Sequence, residues 1–235
     1  MADHSATEPD QAGGMPLGAR LRQDSLGVPV RERYGLILLL IFTGYVLSGF
    51  DTKEWVSITN AILWMAVLFT SLWSPGVPGR VRWLGLFAMG VLLVTAIPLG
   101  LMSAPAAGGW RLLTLAVAQL SAAIAILNRI VRHQVVSLQT VMGAISAYAL
   151  FAFVMASVYG GIDLLTEGVF LNNAVTQGDR LYFSFVTITT VGYGDITPAT
   201  DLAKRLAVVQ ALLGQVFIIT LLARLVSLWG TPLRR

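Results

Sequence analysis

The chain has 235 residues, of which 56% are hydrophobic and only 12% are charged. A soluble domain usually carries about 25% charged residues, so half of the usual solvating surface is missing and several membrane spans are possible. The absence of cysteine excludes disulfides and thiolate metal sites. The formal net charge of +4 does not indicate a nucleic-acid partner, because the basic residues are scattered at the ends of apolar segments.

Residues 1–33 are rich in Gly, Pro, Asp, Gln and Ser and show no apolar periodicity. We therefore expect a disordered cytoplasmic tail. Its basic residues near the first apolar segment would face anionic lipid; they are Arg20, Arg22, Arg31 and Arg33.

Six apolar segments follow, each of a length that suits a membrane helix. Five of the six tryptophans lie at segment ends, as an interfacial belt requires, whereas Trp64 is expected to pack between helices. The sequence therefore predicts an all-α integral membrane protein with six transmembrane helices. The segments are approximately Tyr34–Phe50, Trp55–Trp73, Val81–Met102, Trp110–Leu127, Val135–Tyr159 and Leu202–Trp229.

The distribution of basic residues predicts the orientation. With both termini inside, eleven of the 16 Lys and Arg residues fall in cytoplasmic stretches and the other five in outer stretches. This asymmetry obeys the positive-inside rule. We expect a multi-pass protein of the plasma membrane with both termini in the cytoplasm.

Between the fifth and sixth segments lies the run Thr190-Val191-Gly192-Tyr193-Gly194-Asp195. A dehydrated cation must be surrounded by oxygens, and backbone carbonyls serve if successive residues point them the same way. That arrangement needs ordinary and positive φ angles in alternation, which Gly192 and Gly194 accept at low cost. Thr190 can add its hydroxyl, while the side chains of Val191 and Tyr193 point away from the ion.

This run resembles the selectivity filter of the potassium channel pore family, and the resemblance covers roughly residues 135–229. It implies that K+ is the transported ion, bound by the carbonyls of residues 190–194 and by the Thr190 hydroxyl, with no cofactor. Because the chain has one such run, the resemblance implies a homotetramer around a central axis. A glycine-rich turn is the alternative interpretation, which the flanking apolar segments disfavour.

The ten residues before the filter predict a re-entrant pore helix, since they are too few to span a membrane. We predict a helix break at Gly160-Gly161 and a helix start at Asp179 as N-cap.

The resemblance implies that Asp195 braces the outer mouth of the filter, whereas an exposed turn acid is the alternative. Tyr182 can donate a hydrogen bond to Asp195, and Val186 occupies the place where some relatives have a buried Glu. These three residues are the predicted supports of the filter.

In the last helix, Gly214 matches the hinge glycine of the family, and close helix packing is an equal alternative. Gln215 and Thr220 are polar residues of this helix and candidates for cavity lining. Thr197 or Thr200 is expected to cap its start.

The first four segments have no charged residue near their middle, whereas a voltage sensor needs several basic residues along one helix. They are therefore predicted to form a non-sensing scaffold. A ligand or partner site is the alternative. The polar or helix-kinking residues that would suggest it are Asn60, Pro98 and Gln119. For His133, pH sensing and simple solvation are both open.

The predicted organisation is a cytoplasmic tail (1–33), a four-helix non-sensing transmembrane domain (34–130), a pore domain (131–229) and a short cytoplasmic tail (230–235). The predicted function is passive potassium-selective conduction without classical voltage gating. A non-conducting or modulatory partner subunit, a weakly selective cation channel and a transporter subunit are the alternatives. We expect no enzymatic activity and no nucleic-acid partner; other copies of the chain and membrane lipids are the expected partners.

Overall fold

The computed structural model describes residues 34–48, 54–72, 78–101, 105–132, 138–166, 169–174 and 176–228. The predicted tails and His133 lie outside this part of the chain. All described residues belong to one compact unit, Arg33–Arg235. They form seven helices, α1 (Tyr34–Ser48), α2 (Glu54–Leu72), α3 (Gly79–Leu101), α4 (Pro105–Arg132), α5 (Leu138–Leu165), α6 (Gln177–Ile188) and α7 (Asp201–Leu228), and two short strands, β1 (Leu171–Asn172) and β2 (Thr197–Pro198).

Three of the described helices are long and apolar enough to cross a membrane. They are Ala106–Val131 within α4, Leu138–Leu165, which is α5, and Asp201–Arg224 within α7. Two shorter apolar helices cover Tyr34–Leu47 and Ile62–Leu72. These helices support a mainly helical, multi-pass membrane protein, and the count of six spans stays a prediction.

The most extensive helix pair is α4 with α5. Both helices bury alanines in one cluster, which also takes in side chains of α1 and α2. Small residues let helix backbones approach closely in a membrane, where dispersion contacts and hydrogen bonds hold helices together. The alanines concerned are Ala118, Ala122, Ala123, Ala144, Ala147, Ala149 and Ala156.

The predicted helix break at Gly160-Gly161 is wrong, because α5 continues through both glycines to Leu165. A Cβ added to Gly161 would lie 2.7 Å from the side chain of Leu113 and 3.1 Å from the carbonyl oxygen of Gly109. The glycine therefore serves close packing of α5 on α4. An unbroken helix also keeps its backbone groups hydrogen-bonded in the absence of water.

Trp64 packs between helices as predicted, with its ring edge-on to Phe153 of α5 at a centroid distance of 4.5 Å. Gln119 of α4 is buried, and its Oε1 accepts a hydrogen bond from Ser157 Oγ of α5 at 3.0 Å. This contact favours a packing role for Gln119 over a ligand site. The side chains of Asn60 and Pro98 lie outside the described part of the structure.

Gly161→Ala should destabilise the fold by about 1–3 kcal/mol, because the added methyl group overpacks the α4–α5 contact. Thermal unfolding in detergent, followed by tryptophan fluorescence, measures the effect. Gly90→Ala is the matched control, since a Cβ at this α3 position would meet no described atom within 4 Å. The control should leave Tm unchanged or raise it, because alanine favours helix. Equal Tm values for the two variants would contradict the packing role of Gly161.

Candidate functional site

The short helix α6 begins with a capping box. Thr176 is the N-cap, its Oγ1 accepts a hydrogen bond from the Asp179 backbone N–H at 3.1 Å, and the Asp179 carboxylate accepts one from the Thr176 N–H at 2.8 Å. The prediction of Asp179 as N-cap is therefore wrong by three positions. Both residue types suit the cap position, and the acid at the third helical position completes the reciprocal pair.

An ion pair between the buried Arg180 and the partly buried Asp163 fixes the first turn of α6. The Arg180 guanidinium contacts the Asp163 carboxylate near the end of α5, with Nε donating to Oδ2 at 3.0 Å. Asp163 Oδ1 also accepts a hydrogen bond from the backbone N–H of Phe170 at 3.3 Å. Breaking one partner of a buried pair leaves an uncompensated charge, so this contact strongly favours one placement of α6 on α5. This pair was not predicted from the sequence.

The backbone of the candidate filter, residues 190–194, is hydrogen-bonded to the last turn of α6. The Val186 carbonyl accepts hydrogen bonds from the backbone N–H groups of Val191 at 3.0 Å and Gly192 at 3.4 Å. The Thr187 carbonyl accepts another from Thr190 at 3.0 Å. Val186, predicted as a support through its position, thus contacts the filter through its main chain. The end of α6 and the filter backbone are thus directly hydrogen-bonded to each other.

The backbone of the filter alternates in handedness. The φ angles of Thr190, Gly192 and Gly194 are 59°, 57° and 81°, and the intervening Val191 and Tyr193 have ordinary negative φ angles. A Cβ on either glycine would meet no described atom of the same chain within 4 Å, so the positive φ and not lack of space requires glycine. Thr190 adds a third positive φ that sequence analysis did not predict. Such a conformation costs a β-branched residue about 1–2 kcal/mol, which marks Thr190 as a strained position.

Asp195 is held by several contacts directly after the filter. Tyr182 Oη donates a hydrogen bond to its Oδ2 at 2.8 Å, and the Ile196 backbone N–H donates to Oδ1 at 3.0 Å. The Tyr182 hydrogen bond lowers the pKa of Asp195 and, in turn, raises the pKa of Tyr182 to about 12. The Tyr182 ring also stacks on that of Tyr193, with centroids 6.4 Å apart. Tyr182 therefore contacts both the filter and the acid that follows it.

The segment after the filter pairs with the segment that precedes α6. Strand β2 runs antiparallel to β1, with Leu171 opposite Pro198 and Asn172 opposite Thr197. The side-chain amide of Asn173 donates a hydrogen bond to the carbonyl of Asp195 at 2.9 Å. Sequence analysis missed this support because two-residue strands leave no periodic pattern to read.

Helix α7 packs against the end of α6 at Gly214. A Cβ at Gly214 would lie 2.7 Å from Ile188 Cγ1 and 2.8 Å from the Ile188 carbonyl oxygen. This contact supports the packing interpretation, and the hinge stays a prediction. The Ile188 carbonyl also accepts a hydrogen bond from Tyr148 Oη of α5 at 2.8 Å. At the start of α7, Thr200 is the cap, since its Oγ1 accepts from the Ala203 N–H at 3.1 Å.

Most apolar side chains of α7 are exposed in a single chain. Gln215 and Thr220, the candidates for cavity lining, are exposed as well, and so are the side chains of the filter. The filter and α7 therefore have a face that no other described part of the same chain covers. The exposed large apolar residues of α7 are Leu202, Val208, Val209, Leu212, Leu213, Val216, Ile218, Ile219, Leu222 and Val226.

Comparison with known proteins gives matches that cover only part of the chain. Residues 140–229 match a family model described as an ion channel. Two-pore potassium channel 4 of Arabidopsis thaliana is 53% identical over 49 residues, which are 21% of this chain and 17% of the relative. Two pore potassium channel c of Oryza sativa subsp. japonica is 51% identical over 49 residues, which are 21% of this chain and 11% of the relative. A hyperpolarization-activated voltage-gated potassium channel of Methanocaldococcus jannaschii is 53% identical over 34 residues, which are 14% of this chain and 16% of the relative.

The chain thus spans less than a fifth of the length of the curated relatives it matches. No solved structure matches it. The matches support a relationship to the potassium channel pore family and indicate a channel rather than an enzyme.

Tyr182→Phe should raise the pKa of Asp195 from its lowered value toward the ordinary 3.8, because the phenol hydrogen bond is the largest cause of the lowering. A carboxyl whose folded pKa is lowered contributes stability above its ordinary pKa and loses that contribution as the pH falls through the lowered value. In the variant, the remaining contact of the Asp195 carboxylate, with the Ile196 N–H, should therefore be lost at a higher pH than in the wild type.

The carboxyl carbon shift of Asp195, titrated by NMR between about pH 2 and pH 6, measures this midpoint. Tyr148→Phe is the control, since its hydroxyl contacts Ile188 and not Asp195. If the midpoint of Asp195 is the same in Tyr182→Phe as in the wild type, the contact does not set its pKa.

Proposed function

We propose that this chain is a subunit of a channel that conducts K+ passively and selectively, with four copies around one pore. The observation on which this proposal rests most is the alternation of positive φ angles at Thr190, Gly192 and Gly194. Alternating handedness turns the carbonyls of residues 190–194 toward one side, where they and the Thr190 hydroxyl replace the water shell of the ion. The sequence matches to potassium channels also support K+ as the ion.

The exposed surfaces support four copies. One line of carbonyls cannot surround an ion, so further chains are required, and a single filter per chain makes a closed homotetramer the natural solution. The side chains of Val191 and Tyr193 are 52% and 72% exposed, although they flank a strained backbone that needs rigid surroundings. Neighbouring copies would cover these side chains together with the apolar residues of α7. Gln215 and Thr220 would then line the cavity below the filter.

The position of α6 also suits a cation pathway. Its C-terminal end, where partial negative charge accumulates, leads directly into the filter. The helix has 12 residues, or about 18 Å, and therefore enters the membrane without crossing it. Non-helical backbone at membrane depth is tolerated when it is buried in protein or lines a water-filled path.

We assign α1–α4 to a scaffold that does not sense voltage. In this proposal the subunit has six spans, with both termini in the cytoplasm. In α4 the basic residues Arg111, Arg129 and Arg132 lie near the helix ends, so little charge would cross the field. The close α4–α5 contact supports a fixed scaffold, because sliding α4 would break the packing at Gly109 and Gly161.

Reconstitution of the purified chain in liposomes tests the proposal. We expect K+ flux that exceeds Na+ flux, and a fourfold subunit mass by native mass spectrometry in lipid discs. Equal K+ and Na+ flux would indicate a weakly selective pore. Silence at every voltage, pH and lipid composition would favour a non-conducting partner subunit.

Gly194→Ala should abolish conduction or its selectivity while tetramers still assemble. Gly194 has a φ of +81°, and a left-handed conformation costs an L-residue about 1–2 kcal/mol in each of four copies. Flux, reversal potential and native mass together measure the outcome. Gly90→Ala, with open space around an added Cβ, should behave as the wild type. Normal potassium selectivity in Gly194→Ala would refute the assignment of ion binding to the filter carbonyls.

A further inference from the structure

A buried polar network joins α5, α6 and α7 behind the filter. Gln210 of α7, Ser184 of α6 and Tyr159 of α5 are each fully buried. Gln210 Nε2 donates to Ser184 Oγ at 2.7 Å and to the Ser184 carbonyl at 3.0 Å, while its Oε1 accepts from Tyr159 Oη at 2.7 Å. Ser184 Oγ donates in turn to the carbonyl of Ala152 at 2.7 Å. Every polar side-chain atom of the three residues therefore has a partner.

The network lies one helical turn before the end of α6. Ser184 precedes Val186, whose carbonyl holds two backbone N–H groups of the filter, and Ile188, which ends the helix. One turn after Gln210, Gly214 packs against Ile188. Helix α7 thus contacts α6 at two successive turns, through hydrogen bonds at the first and through close packing at the second.

We propose that Gln210 is a positioning residue that fixes the rotation and depth of α6 on α7 and so keeps the filter carbonyls at the spacing that selects K+. This inference rests on the proposed function of the filter. Gln210, Ser184 and Tyr159 are fully buried, so a displaced amide or hydroxyl would stay unsatisfied, at a cost well above that of a broken bond at an exposed surface. Apolar contacts tolerate sliding, whereas a fully satisfied network has one arrangement that pairs all its members.

A purely structural role for Gln210 is the competing interpretation, and the chain offers a matched control for it. Gln119 is also a buried glutamine hydrogen-bonded to a serine, but it lies on α4 and its partner Ser157 lies on α5. Gln210→Leu and Gln119→Leu each remove one buried amide from a helix interface. Only Gln210→Leu removes a contact to α6.

The test compares the two variants in lipid discs and in planar bilayers. In Gln210→Leu we expect amide hydrogen exchange in peptides covering residues 185–192 to accelerate about tenfold, since local opening becomes less costly. We expect the ratio of Na+ to K+ permeability, taken from the reversal potential, to rise about fivefold or more. In Gln119→Leu both quantities should stay at the wild-type value, while Tm falls in both variants because each loses buried hydrogen bonds.

Wild-type exchange in Gln210→Leu would overturn the positioning role, and so would faster exchange with an unchanged permeability ratio. If Gln210→Leu does not assemble, Tyr159→Phe decides by the same two readouts, because it removes only the hydroxyl that orients the Gln210 amide. If the wild-type protein conducts no K+, the proposed function fails. The exchange comparison then still decides whether Gln210 holds α6 on α7.

Discussion

The backbone of residues 190–194 must keep an alternating handedness that an L-residue chain resists. Two glycines relieve most of this strain, but Thr190 holds a φ of 59° that only its surroundings can maintain. The hydrogen bonds from Val191 and Gly192 to the Val186 carbonyl supply the nearest of these surroundings. The contacts that other helices make with α6 are therefore important, because α6 holds one end of the strained segment.

Different interactions restrain α6 along its length. At its start the Arg180–Asp163 ion pair joins it to α5, and at its end Gly214 of α7 packs against Ile188. Directly after the filter, Asp195 accepts a hydrogen bond from Tyr182 of the same helix. Both ends of the filter are therefore attached to α6. Buried polar groups are effective for this purpose because a displaced buried group loses its partner without regaining bulk solvent.

Residue type and the resemblance to the potassium channel pore family together predicted much of the candidate site. The filter run and the support by Asp195 were predicted from the resemblance. The two glycines, the short length of the preceding helix and the Tyr182 donor were predicted from local chemistry, because positive φ requires glycine, a span requires about 20 residues, and a phenol near a carboxylate donates to it. The long apolar segments were likewise readable, and α4, α5 and α7 have the length and composition of spans. Helix ends were less accurate, because Thr176 and Asp179 suit an N-cap equally well and only the reciprocal contact decides between them.

The kind of backbone at residues 190–194 and the apolar helices on either side can be predicted from the sequence, since both depend on the properties of single residues and short windows. The close packing at Gly161 and Gly214 and the buried hydrogen bonds of Gln210 are visible only in the folded chain. A glycine in an apolar segment breaks, bends or packs a helix, and a glutamine there binds a ligand or a neighbouring helix. The choice depends on which side chain of another helix lies within a few ångströms, and that distance is set by packing between segments far apart in the chain.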